Sequence, residues 1–277
     1  MTHTPPPGDD QTPVPDYSRL WRLDGRVFLV LGAGQGIGRQ TAHALSQAGA
    51  RVVCVGRRAG PTEAVAREVG GTALMGDANN REDMQRIAAE VMQRFGRLDG
   101  LVDILGMPRV KPLVDFTDED WNWQFDMSLR HAFLSLQIMG PLIGQAGGGA
   151  MVFVSSTSGK VISSDRAPYA ASKAALQQLV NAAAIEFGPM KVRVNAVAPG
   201  LVLTPRVSTT IPADTLAQSA ALYPLGEVGT PPQIASVILF LASAMSAHVN
   251  GQTLFAEGGV TGRSPTYATS SARPPRA

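Results

Sequence analysis

Cysteine is almost missing from this chain. Cys54 is the single one in 277 residues, and one thiol can neither close an internal disulfide nor build a thiolate zinc site. A reducing compartment, the cytoplasm, is the expectation. Long apolar runs are missing as well: none approaches the ~18 residues of a membrane-spanning helix, and no basic segment leads into an apolar stretch at the N-terminus. Charge of one sign is not in excess, with 24 Lys and Arg against 22 Asp and Glu. Three of the cations, Arg263, Arg273 and Arg276, fall in a terminal stretch without acids. The high isoelectric point therefore belongs to that end and gives no ground for a nucleic-acid groove or a membrane-binding face. The four histidines show no ligand spacing with paired acids, so no metal is expected.

What remains is an ordinary globular composition, 44% hydrophobic and 17% charged, which excludes wholesale disorder and a fibrous rod. The length suits one enzyme-sized α/β domain. Short β-branched runs alternate with segments of helical period, the pattern of βαβ units around a parallel sheet. Strands are predicted at Arg26 to Leu31, Arg51 to Gly56, Thr72 to Gly76, Gly100 to Leu105, Ala150 to Ser155, Val192 to Val197 and Gln252 to Glu257. The fold class is thus α/β, a doubly wound parallel sheet of about seven strands with helices on both faces. The domain is expected over 23–260, flanked by Pro-rich and Ser/Thr/Pro-rich ends at 1–22 and 261–277 that cannot bury enough surface to order themselves. Thr117, with acids in the next turn and Phe116 set against Trp121 as a hydrophobic staple, reads as a helix cap, and Thr230 before Pro231 as another.

The first strand runs into Leu31-Gly32-Ala33-Gly34-Gln35-Gly36-Ile37-Gly38. Glycines let a backbone approach a pyrophosphate, which then sits on the positive end of the helix that follows. Some 120 residues later Tyr169 and Lys173 stand four apart, on one helical face, and Ser156 ends a strand upstream. A phenol is a poor acid or base near neutrality, and a neighbouring ammonium favours its ionised form. Ser156 can donate to an oxygen on which charge develops. An isolated Tyr-x-x-x-Lys is common surface decoration. Here it comes in order with the glycine turn and with Asn195-Ala196-Val197-Ala198-Pro199-Gly200 and Thr204.

On these residues, together with Val249-Asn250-Gly251-Gln252 and Glu257-Gly258-Gly259, the chain resembles the short-chain dehydrogenase/reductase family over about 235 residues. The resemblance implies a Rossmann-type sheet and hydride transfer to or from a nicotinamide. It assigns Tyr169 as general acid/base, Lys173 as the group that lowers its pKa and holds the nicotinamide ribose, and Ser156 as the group that orients the carbonyl or alcohol. Ser158 and Met107 would join Ser156 and Tyr169 around the substrate. The cofactor would touch Gly32, Gly34, Gln35, Gly36, Ile37, Gly38, Asp77, Ala78, Gly106, Pro199, Gly200, Val202 and Thr204, besides Tyr169 and Lys173. Three positions depart from the family pattern: Leu31 replaces Thr, Asp103-Ile104-Leu105-Gly106 replaces Asn-Asn-Ala-Gly, and Ser128 replaces the Asn of a proton relay. Ser128 is nevertheless expected among the catalytic residues: the helix ladder is disturbed there, and the relay survives with a water bound to the backbone near Ser128 and within reach of Lys173. The alternative is a regular helix in which Ser128 is an ordinary residue.

The end of the second strand carries Gly56 where an NAD-type acid would stand, followed by Arg57 and Arg58. A guanidinium there suits a 2′-phosphate, although two arginines at a strand end can also be merely solvated. The expectation is an NADP(H)-dependent enzyme, NAD(H) being second, that interconverts a secondary alcohol and a ketone. The apolar segment from Leu201 to Leu225 points to an apolar or cyclic substrate. Partners would be that small molecule, with no nucleic acid or membrane, and the resemblance implies further copies of the chain, as a dimer or tetramer, pairing through the helices from Thr117 to Ile143 and Ala167 to Gly188. A dinucleotide-binding regulatory or scaffold protein without turnover is the rival reading, motivated by the altered Asp103 to Gly106 segment.

Overall fold

The computed structural model describes residues 12–161 and 164–262. Seven parallel strands form one sheet: β1 (Val27–Leu31), β2 (Arg51–Gly56), β3 (Thr72–Met75), β4 (Gly100–Asp103), β5 (Gly149–Val154), β6 (Val192–Pro199) and β7 (Thr253–Ala256), in the spatial order β3-β2-β1-β4-β5-β6-β7. Every strand foreseen from the β-branched runs is present. Strand side chains alternate between the two faces, and both faces are covered, which is why the strands read as nearly continuous apolar runs. Val27, Leu29 and Leu31 face one core with α3 (Arg81–Phe95), α5 (His131–Gln145) and α6 (Ala167–Phe187). Phe28 and Val30 face the other with α1 (Gly36–Gln47), α2 (Ala59–Glu68) and α9 (Pro231–Ala242).

The order reverses between β1 and β4, whose last residues Leu31 and Asp103 pair directly. A crevice opens beyond the carboxyl ends of the strands at such a switch point. β4 stops at Asp103, two residues earlier than expected, because the Asp103 carboxylate captures the Leu105 N–H at 3.0 Å and turns the chain out of the ladder.

Thr117 caps α4 (Asp118–Phe125) in a reciprocal capping box with Asp120, and Thr230 caps α9 in the same way with Gln233. Trp121 stacks on Phe125 with ring centroids 4.5 Å apart. Between α4 and α5 the helix widens into a single π-turn, Asp126–Arg130, centred on Ser128. Beyond β6 lie two short helices, α7 (Pro205–Thr210) and α8 (Ala213–Ala220), neither of which holds a buried residue. At the termini, residues 1–11 and 263–277 lie outside the described residues. Tyr17–Arg19 form one 3-10 turn capped by Asp16, and Arg22 is paired with Asp24.

Candidate active site

A cleft of about 510 Å³ lies over the switch point. Gly32, Gly34, Gln35, Gly36 and Ile37 line it on one side, Arg57, Arg58, Asp77 and Ala78 at one end, and Gly106, Met107 and Thr204 toward the other. Gly32 has φ +84° and ties back to Val55 O through its N–H at 2.9 Å. Gly38 is buried where a Cβ would stand 2.1 Å from the Gly32 carbonyl oxygen, so it packs the helix onto the turn and does not line the cleft. The N-cap of α1, Gln35, makes no side-chain capping bond. The first N–H groups of the helix are therefore not capped by that side chain, and an anion at a helix N-terminus is favoured. These residues fit a dinucleotide.

At the adenosine end, Arg57 reaches Asp77 at 3.5 Å while remaining 64% exposed. A Cβ on Gly56 would meet Thr62 Oγ1 at 2.4 Å, so the place of an NAD-type acid is already filled by a side chain from α2.

The catalytic candidates come from three elements. Ser156 follows β5 and opens a 3-10 turn whose Ser158 N–H donates to its hydroxyl at 3.1 Å. Tyr169 and Lys173 are buried on α6, and the Lys173 ammonium lies 5.9 Å from the Tyr169 ring centroid. The lowered phenol pKa expected from Lys173 is not found: burial pushes Tyr169 up, opposed by Ser156 and the charge of Arg166 and not by Lys173. Lys173 is pulled down to about 8 by burial, opposed by the charge of Asp103. Its ammonium donates to Val154 O at 2.8 Å and Leu105 O at 3.4 Å. Gly106, at φ +133°, leaves room for it, since a Cβ there would stand 2.7 Å from Nζ.

A family profile described as enoyl-(acyl carrier protein) reductase matches residues 32–261. The chain belongs to the short-chain dehydrogenase/reductase family. It is 33% identical to a 3-oxoacyl-(acyl-carrier-protein) reductase of Thermotoga maritima, over 86% of this chain and 99% of that one. It is 34% identical to the D-threitol dehydrogenase of Mycolicibacterium smegmatis, over 87% and 95%. Among solved structures, a gluconate 5-dehydrogenase from Burkholderia cenocepacia in complex with NADP and tartrate superposes with a TM-score of 0.84 at 29% identity, covering 89% of this chain and 99% of that one. A 7α-hydroxysteroid dehydrogenase with NADH superposes at 0.82 and 30%, covering 87% and 96%. The family thus spans polyol, steroid and acyl-carrier substrates and both nicotinamide dinucleotides, and membership leaves the choice to this chain's own residues.

Within this short-chain dehydrogenase/reductase site, Pro199, Gly200 and Val202 do not line the cleft, and neither do Ser156, Ser158, Tyr169 and Lys173. Val202 is buried and bridged to Gly229, and a Cβ on Gly200 would meet the Tyr223 hydroxyl at 2.7 Å. Thr204 does reach the cleft and caps α7. Ser128 is fully buried, but its hydroxyl accepts from Gln124 Nε2 at 2.8 Å, and Gln124 also holds Met107 O and the Arg109 N–H. The helix ladder is disturbed there, as one of the two readings of Ser128 requires. Arg206, Asn79 and His131 also line the cleft and escaped the sequence reading. For His131 a signal existed, because Asp103 stands where the family carries Asn. Cys54 sits in the sheet core, its thiol pushed up to about 12 by burial, and is inert.

Proposed function

We propose that this short-chain dehydrogenase/reductase uses NADP(H) to interconvert a secondary alcohol and a ketone. The observation that carries the reading is the buried Tyr169 phenol, followed one helical turn later by the buried Lys173 ammonium 5.9 Å from its ring centroid. The nicotinamide, when bound, supplies the hydride in reduction and takes it in oxidation. Tyr169 gives its phenolic proton to the oxygen of the carbonyl as negative charge grows there, and takes it back in the reverse direction. Ser156 donates to the same oxygen. Lys173 holds the nicotinamide ribose and places a positive charge beside the phenol. Ser158 and Met107 complete the substrate's surroundings.

Arg57 and Arg58 support the choice of NADP(H). They stand at the adenosine end of the cleft, and Thr62 excludes an acid at position 56. Leu203, Leu222 and Leu225 are exposed on the segment beyond β6, with Val207, Ile211 and Leu216 half-buried among them. This supports an apolar or cyclic substrate. Among the described residues no helix is long and apolar enough to cross a membrane. Exposed Trp121, Phe133 and Ile185 on α4, α5 and α6 support assembly as a dimer or tetramer through these helices.

A panel of secondary alcohols and ketones with NADP, NADPH, NAD and NADH, followed at the absorbance of the reduced nicotinamide, tests the proposal. Turnover of at least one apolar ketone with NADPH ahead of NADH is expected. Dinucleotide binding without turnover of any member would favour a binding module.

A further inference from the structure

Two residues at which neither core packing nor the reaction above accounts for the side chain meet beneath the cleft. Asp103 ends β4 and His131 opens α5. His131 Nδ1 lies 2.6 Å from Asp103 Oδ2, with the side chains 1% and 0% exposed. The other carboxylate oxygen accepts the Leu105 N–H. The other ring nitrogen, Nε2, lies 3.2 Å from the carbonyl oxygen of Met127, a residue of the π-turn. A carboxylate and a carbonyl are both acceptors, so the two contacts are both hydrogen bonds only if the ring donates from both nitrogens and carries a positive charge. Such a buried charge is tolerable only when it is paired and hydrogen-bonded, and Asp103 meets both conditions.

The pair adjoins the catalytic lysine. A Cβ on Gly106 would stand 2.7 Å from Lys173 Nζ and 3.8 Å from the Met127 carbonyl oxygen. The ammonium and the carbonyl that His131 holds therefore flank one glycine. Asp103 favours the charged form of Lys173 against the burial that disfavours it. The charged and titratable groups around Lys173 are Asp103 at the end of β4, whose charge acts on it, His131 from α5 on Asp103 Oδ2, and the Tyr169 ring on α6 itself. β5 and the turn after β4 present the backbone carbonyls of Val154 and Leu105.

We propose that Asp103 and His131 form a positioning pair for the reaction at Tyr169. The carboxylate keeps Lys173 charged, and the doubly protonated ring, by sharing that carboxylate, sets how strongly Lys173 feels it. The inference rests on the catalytic reading of Tyr169 and Lys173. Its two members act with opposite sign. Loss of the Asp103 charge removes the group that favours the ammonium, whereas loss of the His131 charge leaves the carboxylate to act on Lys173 alone.

The pH dependence of kcat/KM separates this from a purely structural role. Asp103→Asn is expected to move the alkaline limb, where Lys173 loses its proton, to lower pH by about one unit, and His131→Gln to move it to higher pH by about half a unit. Shifts in the same direction, or no shift in either folded variant, would overturn the proposal. If Asp103→Asn does not fold, the direction given by His131→Gln decides alone. A second measurement needs no turnover: nitrogen-15 NMR of the histidine rings in the cofactor-free protein, with His131→Gln identifying the signal. Two protonated ring nitrogens at pH 7.5 are expected for His131, and one bare nitrogen would overturn the assignment. An enzyme that shows the doubly protonated ring but turns over no substrate would refute the catalytic reading instead.

Discussion

At the scale of single residues, chemistry is concentrated on a few buried side chains. Tyr169→Phe keeps the ring and removes the transferable proton, so dinucleotide binding followed by nicotinamide fluorescence should be preserved while turnover falls by about 100-fold or more. Lys173 illustrates a conflict between function and stability. Its value drops from 10.5 to about 8 on burial, so the folded protein binds fewer protons than the unfolded chain between those limits. Lys173 therefore contributes a gain of stability as pH rises from about 8 to 10.5, set against the loss that the Cys54 thiol, raised by burial to about 12, contributes above 9. Lys173→Met should flatten that climb and, at pH 7, stabilise the fold by about 2 to 3 kcal/mol while abolishing turnover. Urea unfolding of both proteins at pH 7 and pH 10 measures the difference. Arg57 acts on recognition alone: Arg57→Ala should weaken NADPH by about 10- to 100-fold, from the loss of one charge-assisted contact, and leave NADH nearly unchanged. Parallel titrations decide this, and equal losses for both dinucleotides would remove the 2′-phosphate from the argument.

At the scale of elements, the junction of α4 and α5 is the least regular helical segment and the most closely tied to the site. Its π-turn is compatible with the sequence, since no proline occupies Asp126–Arg130, but nothing in the helical period announces it. The side chains around it explain why it persists. Gln124 bonds Ser128 and Met107 O from one side, and His131 bonds Met127 O from the other, so carbonyls displaced from the regular ladder are satisfied by side chains. Ser128→Ala removes one acceptor from the buried Gln124 amide and should cost about 1 kcal/mol of stability. Because Gln124 also fixes Met107 and Arg109, the KM for the substrate should rise more than kcat falls. Steady-state kinetics across pH 6 to 9 checks this. A large loss of kcat with KM unchanged would instead return the Ser128 hydroxyl to the proton path.

At the scale of the whole molecule, one sheet with two covered faces leaves the outer faces of α4, α5 and α6 as the place where further copies would meet. Trp121, Phe133 and Ile185 are 47%, 45% and 78% exposed on these helices, and each offers apolar area that an interface would remove from water. Sedimentation equilibrium at micromolar concentration should give a dimer or tetramer. Ile185→Lys, at a position that contributes nothing to the core, should shift the population toward monomer. A monomer for the parent chain would refute the assembly.

The alternation of β-branched runs with helical segments was enough for the seven strands and their parallel pairing, because a strand buried on both faces must be apolar along its whole length. The glycine turn, Ser156, Tyr169 and Lys173 were legible for a related reason: backbone approach to a phosphate and a phenol one helical turn from an ammonium are local requirements, set by spacing. The Asp103–His131 pair was not. Its members are 28 residues apart in different elements, and they meet because the Leu31–Asp103 register and the π-turn bring the ends of β4 and α5 together beneath the cleft. The same holds for Thr62 filling the space beside Gly56, and for Gln124 turning Ser128 away from Lys173. Local sequence carries information about periodicity and backbone freedom, whereas the protonation and orientation of a buried polar group depend on which distant partners the packed fold supplies.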